Sequence, residues 1–214
     1  MIKLDIFSDP ICPWCFIGKT HLDRALESRP NHPFTIEWHP FQLNPDMPEG
    51  GMDRRAYLEG KFSGKDNAIK AYLPVAEHAE KAGLKINLEG IKVTPNTLNA
   101  HRLIHWAGIE GVQTPIVSAL FKAYFIEGRD IGDIDVLSDV ADAGGMDAAV
   151  TRKLLLSDAD AEDIRNKDAA AREMGINSVP TFIVAGQHAV PGAQPPELWQ
   201  RVIDDVLAQL AASD

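Results

Sequence analysis

Cysteine is nearly absent from this chain of 214 residues, which has two, Cys12 and Cys15. That scarcity excludes a framework of several disulfides and a zinc site built from four cysteines. Positive charge is also short. Lysine and arginine number 21 against 31 aspartates and glutamates, a net charge of −10, which argues against nucleic acid or an anionic membrane as partner. No apolar run has the length of a membrane span. The opening MIKLDIFSDP carries Asp5, Asp9 and Pro10 where a secretory leader needs an unbroken apolar core, so a cytoplasmic setting is the expectation. Internal repeats and low-complexity tracts are missing too. What is present, 45% hydrophobic and 24% charged residues, is the composition of an ordinary folded protein. The length suits one large domain or a domain with a substantial insertion.

The pattern along the chain changes twice. IKLDIFS (Ile2–Ser8) is apolar and rich in strand formers. After Pro13, Ile17, Leu22, Ala25 and Leu26 offer a helix a buried side, and Pro30 bounds it. PFTIEWHPF (Pro33–Phe41) alternates as a strand does. The loop NPDMPEGG (Asn44–Gly51) then marks a boundary, and from about Met52 to Leu156 the periodicity is helical. Ala100, Leu103, Ile104 and Ala107 follow the i, i+3, i+4, i+7 rule, as do Ile116, Ala119, Leu120 and Ala123. DAGGMD (Asp142–Asp147) reads as a helix–helix turn. A further helix follows, with Ser157 or Asp158 as its cap and Gly175 as its stop. PTFIVAG (Pro180–Gly186) is β-rich, QHAVPG suits a hairpin partner, and Leu198, Val202, Val206, Leu207 and Leu210 mark a last helix. The order is β-α-β, helices, α-β-β-α, an α/β fold with a large all-helical insertion. The expected division is 1–48 with 157–214 for the α/β part and 49–156 for the insertion.

The two cysteines stand in Cys12-Pro13-Trp14-Cys15, where a strand gives way to a helix. With Cys12 as helix cap, Pro13 takes the first helical position, where its missing N–H costs nothing. The cap side chain then faces the amides of Trp14 and Cys15, at the positive end of the helix dipole, which favours thiolate. Thiolate is the attacking species in disulfide exchange. Cys15, one turn along, is close enough to bridge to Cys12 and more buried, suited to resolving a mixed disulfide. Zinc is the competing reading, but the chain brings no second cysteine pair. His101 and His105 have helical i, i+4 spacing, yet HRLIH lacks the glutamate of a zinc-protease helix. Chance proximity of two inert cysteines is the other alternative. Far downstream, INSVPTF sets Pro180 before a strand, read either as a tolerated strand-edge proline or as a cis Val179–Pro180 turn.

These features together resemble the thioredoxin superfamily, and the helical insertion resembles its DsbA-like branch. More narrowly, SDPICPWCFIG, PFQLNPDMP, NTLNAHRL, LFKAYFIEGRDIGD and GAQPPE are similar to segments of the FrnE-type dithiol oxidoreductases. The resemblance implies a thioredoxin-like fold and exchange of thiols with disulfides through Cys12 and Cys15. It implies a cis Pro180 facing the cysteines and a Val179 backbone that pairs with substrate. Many relatives keep a buried carboxylate under the site. Asp5 is the candidate here, one residue farther from Cys12 than the usual spacing, the plainer reading being a strand-end aspartate beside Lys3. Trp14 stands where the strongest oxidants of the branch have histidine, so a less strongly favoured thiolate and an exposed apolar wall are expected. Asn99 and His101 are candidates for the groove, or for helix capping and surface hydrogen bonds. No metal or organic cofactor is implied, and glutathione is a candidate redox partner. Substrates would be thiol- or disulfide-containing proteins or small molecules. No oligomeric state follows. Two alternatives stay open: a glutathione-dependent isomerase or kappa-type transferase relative, and a chaperone-like binding module with a vestigial cysteine pair.

Overall fold

The structure, a computed structural model, describes residues 1–213. Its centre is a four-stranded sheet ordered β2-β1-β5-β6. β1 (Ile2–Ser8) runs parallel to β2 (Phe34–Pro40), with Ile2 opposite Phe34 and Ser8 opposite Pro40. The helix α1 (Pro13–Ser28) makes the crossover between them. On its other edge β1 pairs antiparallel with β5 (Thr181–Val184), which turns back into β6 (His188–Pro191).

The register sorts β1 by parity, since side chains alternate between the faces of a strand. Leu4 and Ile6 are fully buried in one core with Leu22 and Ala25 of α1, Phe182 of β5 and Trp199 of α9 (Pro196–Ser213). Phe182 and Trp199 meet edge to face at 4.7 Å. Phe7 points to the opposite face and packs with Phe41, Ile176 and Ala171, the last on α8 (Ala161–Glu173).

Between β2 and α8 lie α2 (Arg54–Lys61), α3 (Lys65–Lys81), α4 (Leu98–Ile109), α5 (Gln113–Phe125), α6 (Ile134–Ala143) and α7 (Ala148–Leu155). The apolar periodicity of α4 is buried throughout, at Ala100, Leu103, Ile104 and Ala107. Asp133 and Asp147 cap α6 and α7 by accepting the first free amides. This segment is not wholly helical. β3 (Met52–Asp53) and β4 (Val93–Thr94) form a two-stranded antiparallel ribbon. Two residues are too few to print a strand period, so the sequence does not announce it. The cap of α8 also differs from Ser157 or Asp158. Asp160 holds that place, and its carboxylate accepts the Trp106 indole N–H at 2.8 Å.

Candidate active site

Helix α1 starts at the motif. Cys12 is its cap residue, with extended backbone (φ −85°, ψ 114°), and Pro13 occupies the first turn. The Cys12 carbonyl accepts from the amides of Cys15 (3.1 Å) and Phe16 (3.2 Å). Both cysteines are free thiols, 4% exposed at Cys12 and 1% at Cys15. The Cys12 side chain makes no cap bond to the helix amides. Its thiol instead faces the Val179 carbonyl oxygen at 3.7 Å, and the Val179–Pro180 bond is cis. This brings together residues 167 positions apart. Gly18 permits the approach: a Cβ there would stand 3.1 Å from Pro180 Cγ and 3.3 Å from Ala193 Cα.

Burial pushes the Cys15 thiol well above the ordinary range, and the Cys12 sulfur beside it acts in the same direction. The Ser8 hydroxyl and the Asp9 backbone N–H are turned toward the Cys15 sulfur and favour its thiolate. Ser8 is buried and its hydroxyl has no hydrogen-bond partner. Immediately after β1, the Asp9 carboxylate is fully buried. It accepts the amides of Ile11 (3.3 Å) and Leu43 (2.7 Å) and the Thr97 hydroxyl (3.5 Å). Burial outweighs those bonds and raises its pKa to about 7. His101 Nε2 lies 3.8 Å from it without a hydrogen-bond partner. Burial lowers His101 to about 3, so at neutral pH this contact is not an ion pair.

Three expectations are corrected by this arrangement. Asp5 does not reach the cysteines. It sits on the odd-numbered face of β1 and pairs with Lys3 at 2.9 Å and His39 at 2.6 Å. Asp5, Glu37 and His39 bring metal-binding atoms within 4.8 Å of one another. Lys3 already bonds both carboxylates there, Glu37 at 2.8 Å, so the cluster is an ion-pair group. His101 is not a groove residue, being 2% exposed beneath Asp9. Asn99 is half-buried and accepts from Arg102 at 2.8 Å. Trp14 is half-buried rather than free: it packs with Val75 and Ala79 of α3 and meets His78 edge-on at 5.1 Å. Ser8, Asp9 and Thr97 were missed as site residues, although SDP, one residue before the motif, was a visible signal for the first two.

A cleft of about 360 Å³ opens at Cys12, Pro13, Trp14 and Val179, and α2 and α3 form its far wall. A larger cavity of about 630 Å³ lies along β2, α4 and α5, but neither cysteine lines it. No helix among the described residues is long and apolar enough to cross a membrane.

Residues 3–204 match the model of the DSBA-like thioredoxin domain. The chain is 29% identical over 209 residues to the uncharacterized protein YwbO of Bacillus subtilis (strain 168), covering 95% of this chain and 96% of that one. Among solved structures it resembles a probable DsbA oxidoreductase from Streptomyces coelicolor, with TM-score 0.86, 24% identity and coverage of 97% and 91%. The cytosolic disulfide reductase DsbM from Pseudomonas aeruginosa is similar at TM-score 0.69, 16% identity and coverage of 97% and 99%.

Proposed function

Because the chain belongs to the DsbA-like thioredoxin domain family, we propose that it is a thiol–disulfide oxidoreductase in which Cys12 attacks and Cys15 resolves. The observation that carries this reading is Cys12 at the start of α1, facing the Val179 carbonyl beside Pro180, with Cys15 buried behind it. The Cys12 thiolate attacks one sulfur of a substrate disulfide, forming a mixed disulfide and releasing the other sulfur as a thiolate, which takes up a proton. Cys15 then gives its proton to the buried Asp9 carboxylate. The Cys15 thiolate attacks Cys12 Sγ and releases the second substrate thiol. Two electrons have passed to the substrate, and Cys12–Cys15 is a disulfide. Two equivalents of a low-molecular-weight thiol such as glutathione return it to the dithiol.

Val179 and Pro180 form the substrate-binding side of the site, with the Val179 main chain available to pair with a peptide-like substrate. Residues 49–156 act as an insertion that caps it, since α2 and α3 line the cleft. The setting proposed is the cytoplasm and the branch FrnE-type, on the sequence motifs. Insulin reduction by wild type and by Cys12→Ser tests the reading. Turnover in wild type and none in the variant is expected; equal behaviour of the two contradicts it. Glutathione-dependent isomerisation that survived Cys15→Ser would instead point to the kappa-type relatives.

A further inference from the structure

Of the residues lining the cleft at Cys12, Arg54 and Lys61 alone are aspartate, glutamate, lysine or arginine, and both are cations. The sign is opposite to that of the chain, which carries −10. Arg54 is 6% exposed. Its guanidinium donates to the hydroxyls of Tyr124 and Tyr72, each at 3.2 Å, and stands 5.4 Å and 6.0 Å from the Tyr72 and Tyr124 ring centroids. Burial drives Tyr124 further toward its neutral phenol form, so these partners satisfy N–H groups without neutralising charge. Among the described residues Arg54 has no ion pair with a carboxylate. Lys61 likewise donates to the Tyr57 hydroxyl at 2.8 Å and has no ion pair there. Among the other buried cations, Lys19 pairs with Asp23 at 2.6 Å, while Arg102 spends its N–H groups on the carbonyls of Leu154, Ser157 and Ala159. A buried cation normally has its counter-charge built in, because desolvating it alone is costly. Bracing two tyrosines accounts for the hydrogen bonds of Arg54 but not for the missing anion.

We propose that this wall binds a carboxylate of a small thiol or disulfide substrate, so that its sulfur lies at Cys12. The inference rests on the cleft being the site of dithiol exchange. A volume of about 360 Å³ lies in the range of about 300–1,000 Å³ typical of small-molecule sites, which favours a compact molecule over the surface of a folded protein. The planar fork of Arg54 suits a carboxylate. Lys61, exposed at the rim, supplies attraction that draws an anion into an otherwise acidic protein.

The test uses 3,3′-dithiodipropionate, a dianionic disulfide, against the neutral bis(2-hydroxyethyl) disulfide, each rate normalised to uncatalysed exchange with dithiothreitol. Suberate, the redox-inert isostere of the dianion, reports binding by calorimetry. Wild type is expected to prefer the dianion by about tenfold or more in kcat/KM at low salt, and to bind suberate. Arg54→Gln and Lys61→Glu should each reduce that preference and weaken suberate binding by a similar factor, acting through KM. Lys61 is exposed, so its variant tests the wall even where Arg54→Gln does not fold. Equal normalised rates for the two disulfides, with suberate binding absent or unchanged in Lys61→Glu, would overturn the inference and leave the dithiol assignment standing. Charge-dependent suberate binding without exchange of either disulfide would remove the dithiol assignment and uphold the anion site.

Discussion

At the residue scale the proposed resolving step turns on one carboxylate, that of Asp9. The resemblance places a buried acid in the first strand at Asp5, but strand parity decides the matter. Even-numbered residues of β1 face the core shared with α1, and Asp5 is odd, so it joins Lys3 and His39 instead. Asp9 lies past the strand end, where parity no longer applies, and only tertiary contacts with Leu43 and Thr97 bury it. No local pattern announces such burial. Cys12, Cys15, Pro13 and Pro180 were legible because their chemistry is written in adjacent letters. With a pKa of about 7, Asp9 is ionised and able to take the Cys15 proton above that pH, and is already protonated below it. The resolving step should therefore slow as pH falls through about 7. Asp9→Asn should lower its rate about a hundredfold and remove that inflection. Stopped-flow tryptophan fluorescence on the mixed disulfide measures both; an unchanged profile would exclude Asp9 as the acceptor.

At the element scale, the strands, the active-site helix and the order of helices follow from period and punctuation. The β3–β4 ribbon does not, being two residues a side. Nor does the packing that makes Gly18 necessary, since a helical glycine says nothing of what lies across from it. In Gly18→Val, the added carbons would push Pro180 and the 192–193 turn away from α1. Overpacking of this kind costs about 1–3 kcal/mol. Thermal unfolding should occur at lower temperature, and insulin reduction should fall by more than the loss of folded protein explains. Arg102 is a second point of this kind. Its guanidinium donates to the carbonyls of Leu154, Ser157 and Ala159, at 2.8, 2.7 and 2.7 Å, in the last turn of α7 and the loop after it. Leu154 would keep the amide and hydroxyl of Ser157 as donors, but Arg102→Met would leave the Ser157 and Ala159 carbonyls unpartnered, at about 1–3 kcal/mol for each that water cannot reach. Urea denaturation should show a loss of several kcal/mol; a loss below about 1 kcal/mol would mean the carbonyls find other donors.

For the whole molecule, two buried groups with opposed titrations meet where β1 ends against α4. Asp9 holds its proton up to about 7 rather than 3.8. The unfolded chain binds fewer protons in that window, so this group makes stability fall as pH rises through it. His101 is held neutral down to about 3 instead of 6.5, so its contribution rises with pH across that range. The slopes oppose one another where the windows overlap. His101→Phe removes one, and its unfolding free energy, relative to wild type, should decline as pH rises through the His101 window. Urea melts across that range measure the difference, and a constant difference would contradict the two assignments. The net charge of −10 was readable from composition, but its reversal at Arg54 and Lys61 was not, because only the tertiary fold brings this face of α2 to the cleft at Cys12.

The central claim, an asymmetric pair with Cys12 attacking and Cys15 resolving, is tested most directly by trapping. Cys15→Ser and Cys12→Ser are each mixed with a peptide disulfide, quenched in acid and weighed intact by mass spectrometry. Cys15→Ser should accumulate a stable adduct on Cys12, and Cys12→Ser should form essentially none. Equal adducts on both variants, or an adduct on Cys15 alone, would contradict the account.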